Sequence, residues 1–444
     1  MNVSQLPRDP GPAGWNSILP EAAPADPLRK QVTADWLVIG AGFAGLAAAR
    51  RLAQLCPADQ VILLEASRVG EGPAGRNSGF MIDLPHDLAS ENYGGKLAAD
   101  KAQIEDNRRA IAFAAEMAEE FGLSQEAFAR TGKINAAASP KGMQHNKDFA
   151  SHLAALAEPH EMLDGDDMRA LCGSGYFSGG LYTPLAAMIQ PALFVRGVAS
   201  GIRSNRLRLH ELSPVTSLTR AGPDWVVRTP SGQVTAPRVI LAVNGHLQSF
   251  GHMQGRLMHV FTYASMTRAL TPDECKTLGG APNWGVTPAD PLGTTVRRIS
   301  GTGGDRIVIR NRFTFDPSME VTAARVAAVG RDHDRSFAAR FPMLSGVEME
   351  YRWGGRLCLS YNNVQVVGAL DDGLWSACCQ NGLGTAKGTL AGLLAAEAAN
   401  GMGSAALDRL TGAGLPQKLP PSPVAQVAAT TRLRWGEWRA GREF

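Results

Sequence analysis

The architecture turns on the run Asp35-Trp36-Leu37-Val38-Ile39-Gly40-Ala41-Gly42-Phe43-Ala44-Gly45-Leu46-Ala47-Ala48-Ala49-Arg50-Arg51-Leu52-Ala53. A short apolar segment of strand type enters a glycine turn and leaves as a row of strong helix formers. Val61-Ile62-Leu63-Leu64-Glu65 is a second apolar segment ending in an acid. Together they predict a β-α-β unit with two parallel, buried strands. G-x-G-x-x-G spacing is weak evidence alone. It is specific here, because it follows a strand, opens a helix and is followed by Glu65 at the end of the next strand. Gly40 permits the tight turn, Gly42 lets the backbone approach a pyrophosphate, and Gly45 lets helix and strand pack closely. The helix N-terminus then presents N–H groups and a positive dipole to the phosphates. Glu65 suits both ribose hydroxyls of an adenosine, and its charge disfavours a 2′-phosphate, which argues against NADP.

Outward from this unit, residues 1–31 carry six prolines and read as an irregular arm. A glycine-rich stretch follows Glu65 and holds the knot Gly75-Arg76-Asn77-Ser78-Gly79. Helices are predicted over 96–122, 146–157, 193–202, 318–340 and 386–399. Strands are predicted over 134–138, 207–210, 225–228, 233–235 and 238–243. From 258 to about 315 the pattern turns antiparallel in style, with strands over 260–266, 294–298 and 306–313. Pro416, Pro420, Pro421 and Pro423 mark a linker, and the tail from Thr431 mixes arginines with Trp435 and Trp438.

Composition sets limits on these readings. The 444 residues are 44% hydrophobic and 19% charged, so the chain is globular and long enough to bury a core without disulfides or metal. A net charge of +3 gives no nucleic-acid signal, which would need a clustered basic face. The six cysteines form no C-x-x-C pair and read as free thiols of a cytoplasmic protein. The apolar run 37–49 is too short to span a membrane. The nine histidines are scattered, without the spacing of a metal site.

The glycine motif leaves NAD and FAD open. Three features favour FAD: Arg76 between glycines at a second phosphate-facing loop, a late buried strand ending at Asn244-Gly245, and Gln380-Asn381-Gly382-Leu383-Gly384-Thr385 turning into a second helix. This set resembles the D-amino-acid-oxidase-like FAD-dependent oxidoreductase superfamily, most nearly its γ-glutamylputrescine oxidoreductase branch. The branch shares the Pro-rich arm, the G-R-N-S-G loop, a stretch like Trp353-Gly354-Gly355 and a basic C-terminal extension. The resemblance implies an α/β fold: a Rossmann-like FAD-binding domain of glutathione-reductase type and a second α+β substrate domain built on an antiparallel sheet. The expected organisation is an arm over 1–31, a discontinuous FAD-binding domain over 32–95, 186–248 and 350–405, a substrate domain over 96–185 and 249–349, and a C-terminal extension over 406–444. The expected FAD contacts are Gly40, Gly42, Phe43, Ala44, Gly45, Glu65, Ala66, Arg76, Asn77, Ser78, Gly79, Val215, Asn244, Gly245, Gly382, Leu383, Gly384 and Thr385. Gly382-Leu383-Gly384 stands where several relatives carry Gly-His-Gly, and no histidine flanks Arg76, so the expected flavin is noncovalent.

The resemblance implies oxidation of a C–N bond in an amine or amino acid to an imine, which water hydrolyses. Such chemistry asks the protein to position a free amine and exclude water, while the cofactor takes the hydride. A carboxylate on the substrate would call for a buried arginine. Candidates are Arg297, Arg298, Arg310, Arg312, Arg352 and Arg356, with Arg310 first, and period two places Arg310 and Arg312 on one face of their strand. Trp353 is the candidate aromatic wall, Lys387 the candidate for stabilising reduced flavin, and His259, with His246, the candidate base. Two rival readings are a 2-hydroxy-acid dehydrogenase, which wants a strong base, and a flavin-carrying subunit of a larger complex. Expected partners are a small amine or amino-acid substrate and, through the basic tail, the body of the chain or a second copy.

Overall fold

The computed structural model describes residues 1–85 and 94–444. The β-α-β unit forms as predicted: strand Trp36–Ile39, helix Phe43–Leu55 and strand Val61–Leu64, with every residue of both strands buried. They nucleate a six-stranded sheet in the order Leu207–His210, Val61–Leu64, Trp36–Ile39, Arg238–Leu241, Leu374–Cys378, Val366–Asp371. Its first four pairings are parallel, and only the last is antiparallel. Helices cover the face bearing Trp36, Val38, Leu63 and Ile240. The small-residue helix Ala386–Ala399 packs there so tightly on Phe43–Leu55 that a β-carbon on Gly392 would lie 1.9 Å from the carbonyl oxygen of Ala44. The other face, with Leu37, Ile62 and Val239, is covered by a four-stranded sheet, Gln31–Thr33, Gln233–Ala236, Asp224–Arg228 and Ser217–Ala221.

The second layer is an eight-stranded sheet in the order Met349–Ser360, Leu257–Thr267, Arg306–Phe315, Thr295–Ile299, Trp284–Pro288, Lys133–Ala137, Gly179–Thr183, Glu161–Leu163. All its pairings are antiparallel except that of Trp284–Pro288 with Lys133–Ala137. Met349–Ser360 pairs with Leu257–Thr267 from Leu257↔Ser360 to Thr267↔Met349. The segment beginning at 350 therefore starts in the second sheet and joins the first only at Val366–Asp371. The expected organisation placed 350–405 in the FAD-binding part, and strand Met349–Ser360 departs from it by pairing in the second sheet.

One strand breaks its period. The pairing of Leu257–Thr267 with Arg306–Phe315 shifts register between Thr262 and Tyr263, and Arg312 takes φ +60° at the bulge. A bulge leaves one residue unpaired and re-aims the side chains around it. Arg310 and Arg312 accordingly do not share a face. Arg312 turns to Asp332 and Glu437, while Arg310 keeps the ladder opposite Thr295.

The C-terminal extension is docked. Helix Val424–Ala440 lies along Arg306–Phe315, and the buried Glu437 accepts from the Phe313 N–H at 3.1 Å and pairs with Arg312 and Arg434. Glu443 Oε1 accepts from the Ala138 N–H at 2.9 Å and the Ser139 hydroxyl at 2.7 Å. Among the described residues no helix is long and apolar enough to cross a membrane.

Candidate active site

One cavity runs from the glycine cradle of the first sheet to the face of the second. At its inner end, Gly40 takes φ +99° and Gly42 precedes the helix in extended backbone, with no side chain capping the helix start. A β-carbon on Gly45 would lie 1.7 Å from the Gly40 carbonyl oxygen, so Gly45 is set by close packing and does not itself line the cavity. A β-carbon on Gly42 would meet only the Ala74 side chain, at 3.5 Å, leaving open the space a pyrophosphate needs. Glu65 Oε2 accepts from the Ala41 N–H at 2.8 Å and Oε1 from the Ser67 N–H at 3.1 Å. Burial pushes this carboxyl above its ordinary range, and the backbone N–H groups of Ala41, Ser67 and Ala66 pull it back. Phe43, Ala44, Ala66, Val215, Asn244 and Gly245 line the same end. Asn244 Oδ1 accepts from the Gln380 N–H at 3.2 Å, which ties this strand exit to the Gly382-Leu383-Gly384-Thr385 turn. That turn lines the cavity, as do Asn77 and Ser78, and Thr385 donates to the Phe80 carbonyl at 2.6 Å.

The far wall belongs to the second sheet. Thr287, Pro288, Pro291, Thr295 and Arg310 face the cavity, with Thr295 opposite Arg310 and Thr287 opposite Asn135 in the pairing. The Arg310 guanidinium lies 4.7 Å over the Phe313 ring. One row down the strand, buried Arg297 donates to the carbonyls of Ser78 at 3.0 Å and Ile189 at 2.7 Å, between the rings of Trp15 and Phe80. Burial lowers its pKa to about 10. It thus holds the Ser78-Gly79 loop against the sheet. Gly79, at φ +80°, leaves room for it, since a β-carbon there would come within 2.0 Å of the guanidinium. Lys133, fully enclosed, donates to Asn135 at 2.5 Å and approaches Thr287 at 3.4 Å, and burial lowers its pKa to about 8.

Several predicted residues do not reach the cavity. Arg76 is a strut: its guanidinium donates to the carbonyls of Glu71 at 2.6 Å, Gly354 at 3.2 Å and Gly11. Arg76 itself lies outside the cavity lining, whereas Asn77 and Ser78 of the same loop are in it. Trp353 is fully buried, donates to the Arg76 carbonyl at 3.0 Å and meets Trp15 edge to face. It is core packing, not an aromatic wall. Lys387 lies in the first turn of helix Ala386–Ala399, outside the cavity lining. His259 is buried behind Gly245, also outside the lining, and burial with the nearby Arg356 charge lowers its pKa to about 4. His246 does line the cavity; its Nδ1 meets Ser249 Oγ at 3.2 Å, and burial, then Arg356, lowers it to about 3. Of the other arginines, Arg298 bonds the Gly279 carbonyl and Arg352 pairs with Asp334, whereas Arg356 lines the cavity.

The sequence missed Gln5, Leu6, Pro7 and Asp9 of the arm, which line the inner end, and the sheet threonines Thr287 and Thr295. In the structure residues 3 to 9 alternate between half-buried and exposed, as an extended segment laid on a surface does, but Val3-Ser4-Gln5-Leu6-Pro7-Arg8-Asp9 carries no matching apolar–polar alternation that sequence could have shown.

A parallel sheet with this cradle, roofed by an antiparallel sheet whose polar face closes the cavity, defines a two-domain dinucleotide-binding oxidoreductase. The family model described as FAD dependent oxidoreductase (DAO) matches residues 35–398, and the chain belongs to that family. The γ-glutamylputrescine oxidoreductase of Escherichia coli K12 is 29% identical over 385 residues, covering 85% of this chain and 86% of the relative. Mouse mitochondrial dimethylglycine dehydrogenase is 26% identical over 254 residues, 56% of this chain and 27% of that one. Glycine oxidase from Geobacillus kaustophilus superposes with a TM-score of 0.67 at 19% identity, over 84% of this chain and 96% of that one. The cofactor is FAD, and the residues fit it: the uncapped helix start, the open space at Gly42 and the half-buried carboxylate of Glu65 are the features its diphosphate and ribose require.

Proposed function

We propose that the chain oxidises the C–N bond of an amine or N-substituted amino acid, preferably one bearing a carboxylate, to an imine. FAD, held at Gly42 and Glu65, would supply the acceptor for the hydride leaving the carbon, while the nitrogen loses a proton and water splits the imine into a carbonyl compound and an amine. The single observation that carries this reading is the wall of Arg310, Thr287 and Thr295 facing the cofactor cavity. In this reading Arg310 receives the carboxylate by charge-assisted hydrogen bonds, and Thr295, with Thr287 held by Asn135 at 2.9 Å, orients the substrate. Phe80, Ile82, Leu357 and Leu383 supply apolar surface in the same cavity. Apolar surroundings disfavour an ammonium and so favour the free amine that can give up a hydride. The names of the relatives that act on γ-glutamylputrescine and dimethylglycine support a C–N bond.

C–O oxidation is the weaker reading. A 2-hydroxy acid needs a base at its hydroxyl. His259 lies outside the cavity, and His246, though in it, is paired with Ser249 and lowered to about 3, a poor proton acceptor. The test is product analysis of the FAD-loaded protein with carboxylated secondary amines, polyamines and 2-hydroxy acids. Equal amounts of carbonyl product and released amine are expected. A 2-oxo acid formed only from the hydroxy acid would overturn the reading.

A further inference from the structure

We infer that residues 1–10 form a strap over the adenosine half of bound FAD and that Asp9 is a cofactor-binding residue. The arm is anchored at both ends. Its N-terminal amine donates to the Leu218 carbonyl at 2.6 Å, Val3 N–H to Thr216 at 2.9 Å and Ser4 N–H to Ser249 at 3.0 Å. Beyond the cavity, the Gly11 carbonyl accepts from Arg76, and Trp15 Nε1 donates to the Asn77 carbonyl at 2.9 Å. Between these anchors, among the described residues, no backbone hydrogen bond joins Leu6 to Asp9 to the body. The unanchored span is the part that crosses the cavity. Val3, Gln5, Pro7 and Asp9 are its half-buried residues, and Ser4, Leu6 and Arg8 its exposed ones.

Asp9 carries the polar argument. Its side chain is 10% exposed, and its Oδ1 has no hydrogen-bond partner, the nearest cation being Arg76 Nε at 3.9 Å. A buried carboxylate oxygen without a donor is costly. It lies in the same lining as Glu65 and near enough to raise that carboxyl further. Two carboxylates flanking one end of the cavity suit a ligand part rich in donors and free of negative charge, such as the hydroxyl and amino groups of an adenosine. The inference needs FAD as the cofactor and is independent of which substrate is oxidised.

The test is cofactor release from the full-length FAD-loaded protein, followed by the rise of free-flavin fluorescence after dilution. Removal of residues 1–9 is expected to speed release by about tenfold or more, and Asp9→Ala by about fivefold or more, as the loss of a charged hydrogen bond implies. Release unchanged in both variants would overturn the inference. A second readout keeps the native chain: trypsin should cut after Arg8 about tenfold more slowly in the FAD-loaded protein than in the cofactor-free protein. Equal rates of cleavage there would contradict a strap that closes on the cofactor.

Discussion

A β-carbon placed on Gly45 would sit 1.7 Å from the carbonyl oxygen of Gly40, whereas one placed on Gly42 would touch nothing closer than 3.5 Å. The two glycines of one motif therefore do different work. Gly45→Ala drives a methyl into backbone and is expected to destabilise the fold by about 3 kcal/mol or more. Gly42→Ala should fold with a loss of only about 1 kcal/mol, because its backbone is ordinary and its surroundings open. Its methyl would meet the cofactor instead, weakening FAD binding on the order of a hundredfold, which is about 2.7 kcal/mol. Urea unfolding of the cofactor-free proteins and FAD titration separate the two effects. Full FAD affinity in a folded Gly42→Ala protein would contradict the placement of the pyrophosphate.

The two arginines separated by the bulge give a second contrast. Arg310→Ala should raise KM for a carboxylated amine by about tenfold or more, since a charged hydrogen bond contributes on the order of 1.5–3 kcal/mol, and should leave FAD affinity intact. Arg312→Ala should leave KM alone and lower stability, because it strips a partner from Asp332 and from the buried Glu437. Steady-state kinetics with a carboxylated substrate and its uncharged analogue check the first. An equal KM change for both substrates would remove Arg310 from carboxylate binding.

Acid should weaken the fold through histidines held neutral. His246 and His333 are lowered to about 3 and His259 to about 4, against 6.5 in the unfolded chain, with burial as the main cause. Between pH 4 and 6.5 the unfolded chain binds protons at these sites that the folded chain does not. Stability therefore falls as pH is lowered through that window, by up to about 1.4 kcal/mol per pH unit for each histidine. Denaturant unfolding at a series of pH values should show a shallower slope for His333→Gln than for the parent. Identical slopes would mean that His333 takes up protons equally in the folded and unfolded chain, which would contradict its lowered pKa.

The tail is part of the second domain's stability. Glu443→Ala removes the acceptor of the buried Ala138 N–H, just past strand Lys133–Ala137, and of the half-buried Ser139 hydroxyl that caps helix Pro140–Ala155. A loss of about 1–3 kcal/mol is expected for the unpaired buried donor. Chemical denaturation measures it, and an unchanged midpoint would show that the docked end contributes nothing.

The β-α-β unit and Glu65 were legible because their signals are local: two apolar runs, three glycines at fixed spacing and an acid within thirty-one residues. Half of the second sheet was legible: Lys133–Ala137, Leu257–Thr267, Thr295–Ile299 and Arg306–Phe315 carry strand patterns, whereas Glu161–Leu163, Gly179–Thr183, Trp284–Pro288 and Met349–Ser360 were missed, and the order was hidden because pairing Trp284–Pro288 with Lys133–Ala137 joins segments about 150 residues apart. The bulge at Arg312 has no local marker, so strict alternation put Arg310 and Arg312 together. Trp353, His259 and Lys387 were chosen by residue type, and type does not say which way a side chain turns. Arg76 illustrates the same point: its guanidinium turns to the carbonyls of Gly11 and Gly354 and away from the cavity, which its place between glycines does not reveal. The C-terminal helix hid itself because Ala425, Ala429 and Leu433 face inward while Val424, Val427, Trp435 and Trp438 stay exposed, so no single apolar stripe marks it.

Anaerobic absorbance of the FAD-loaded protein tests the central claim most directly. Secondary amines, N-substituted amino acids and 2-hydroxy acids are added one at a time while the oxidised-flavin band is followed. The account predicts that a carboxylated amine bleaches the band and that Arg310→Ala shifts the concentration required upward by about tenfold. Bleaching by a 2-hydroxy acid and by no amine would contradict it.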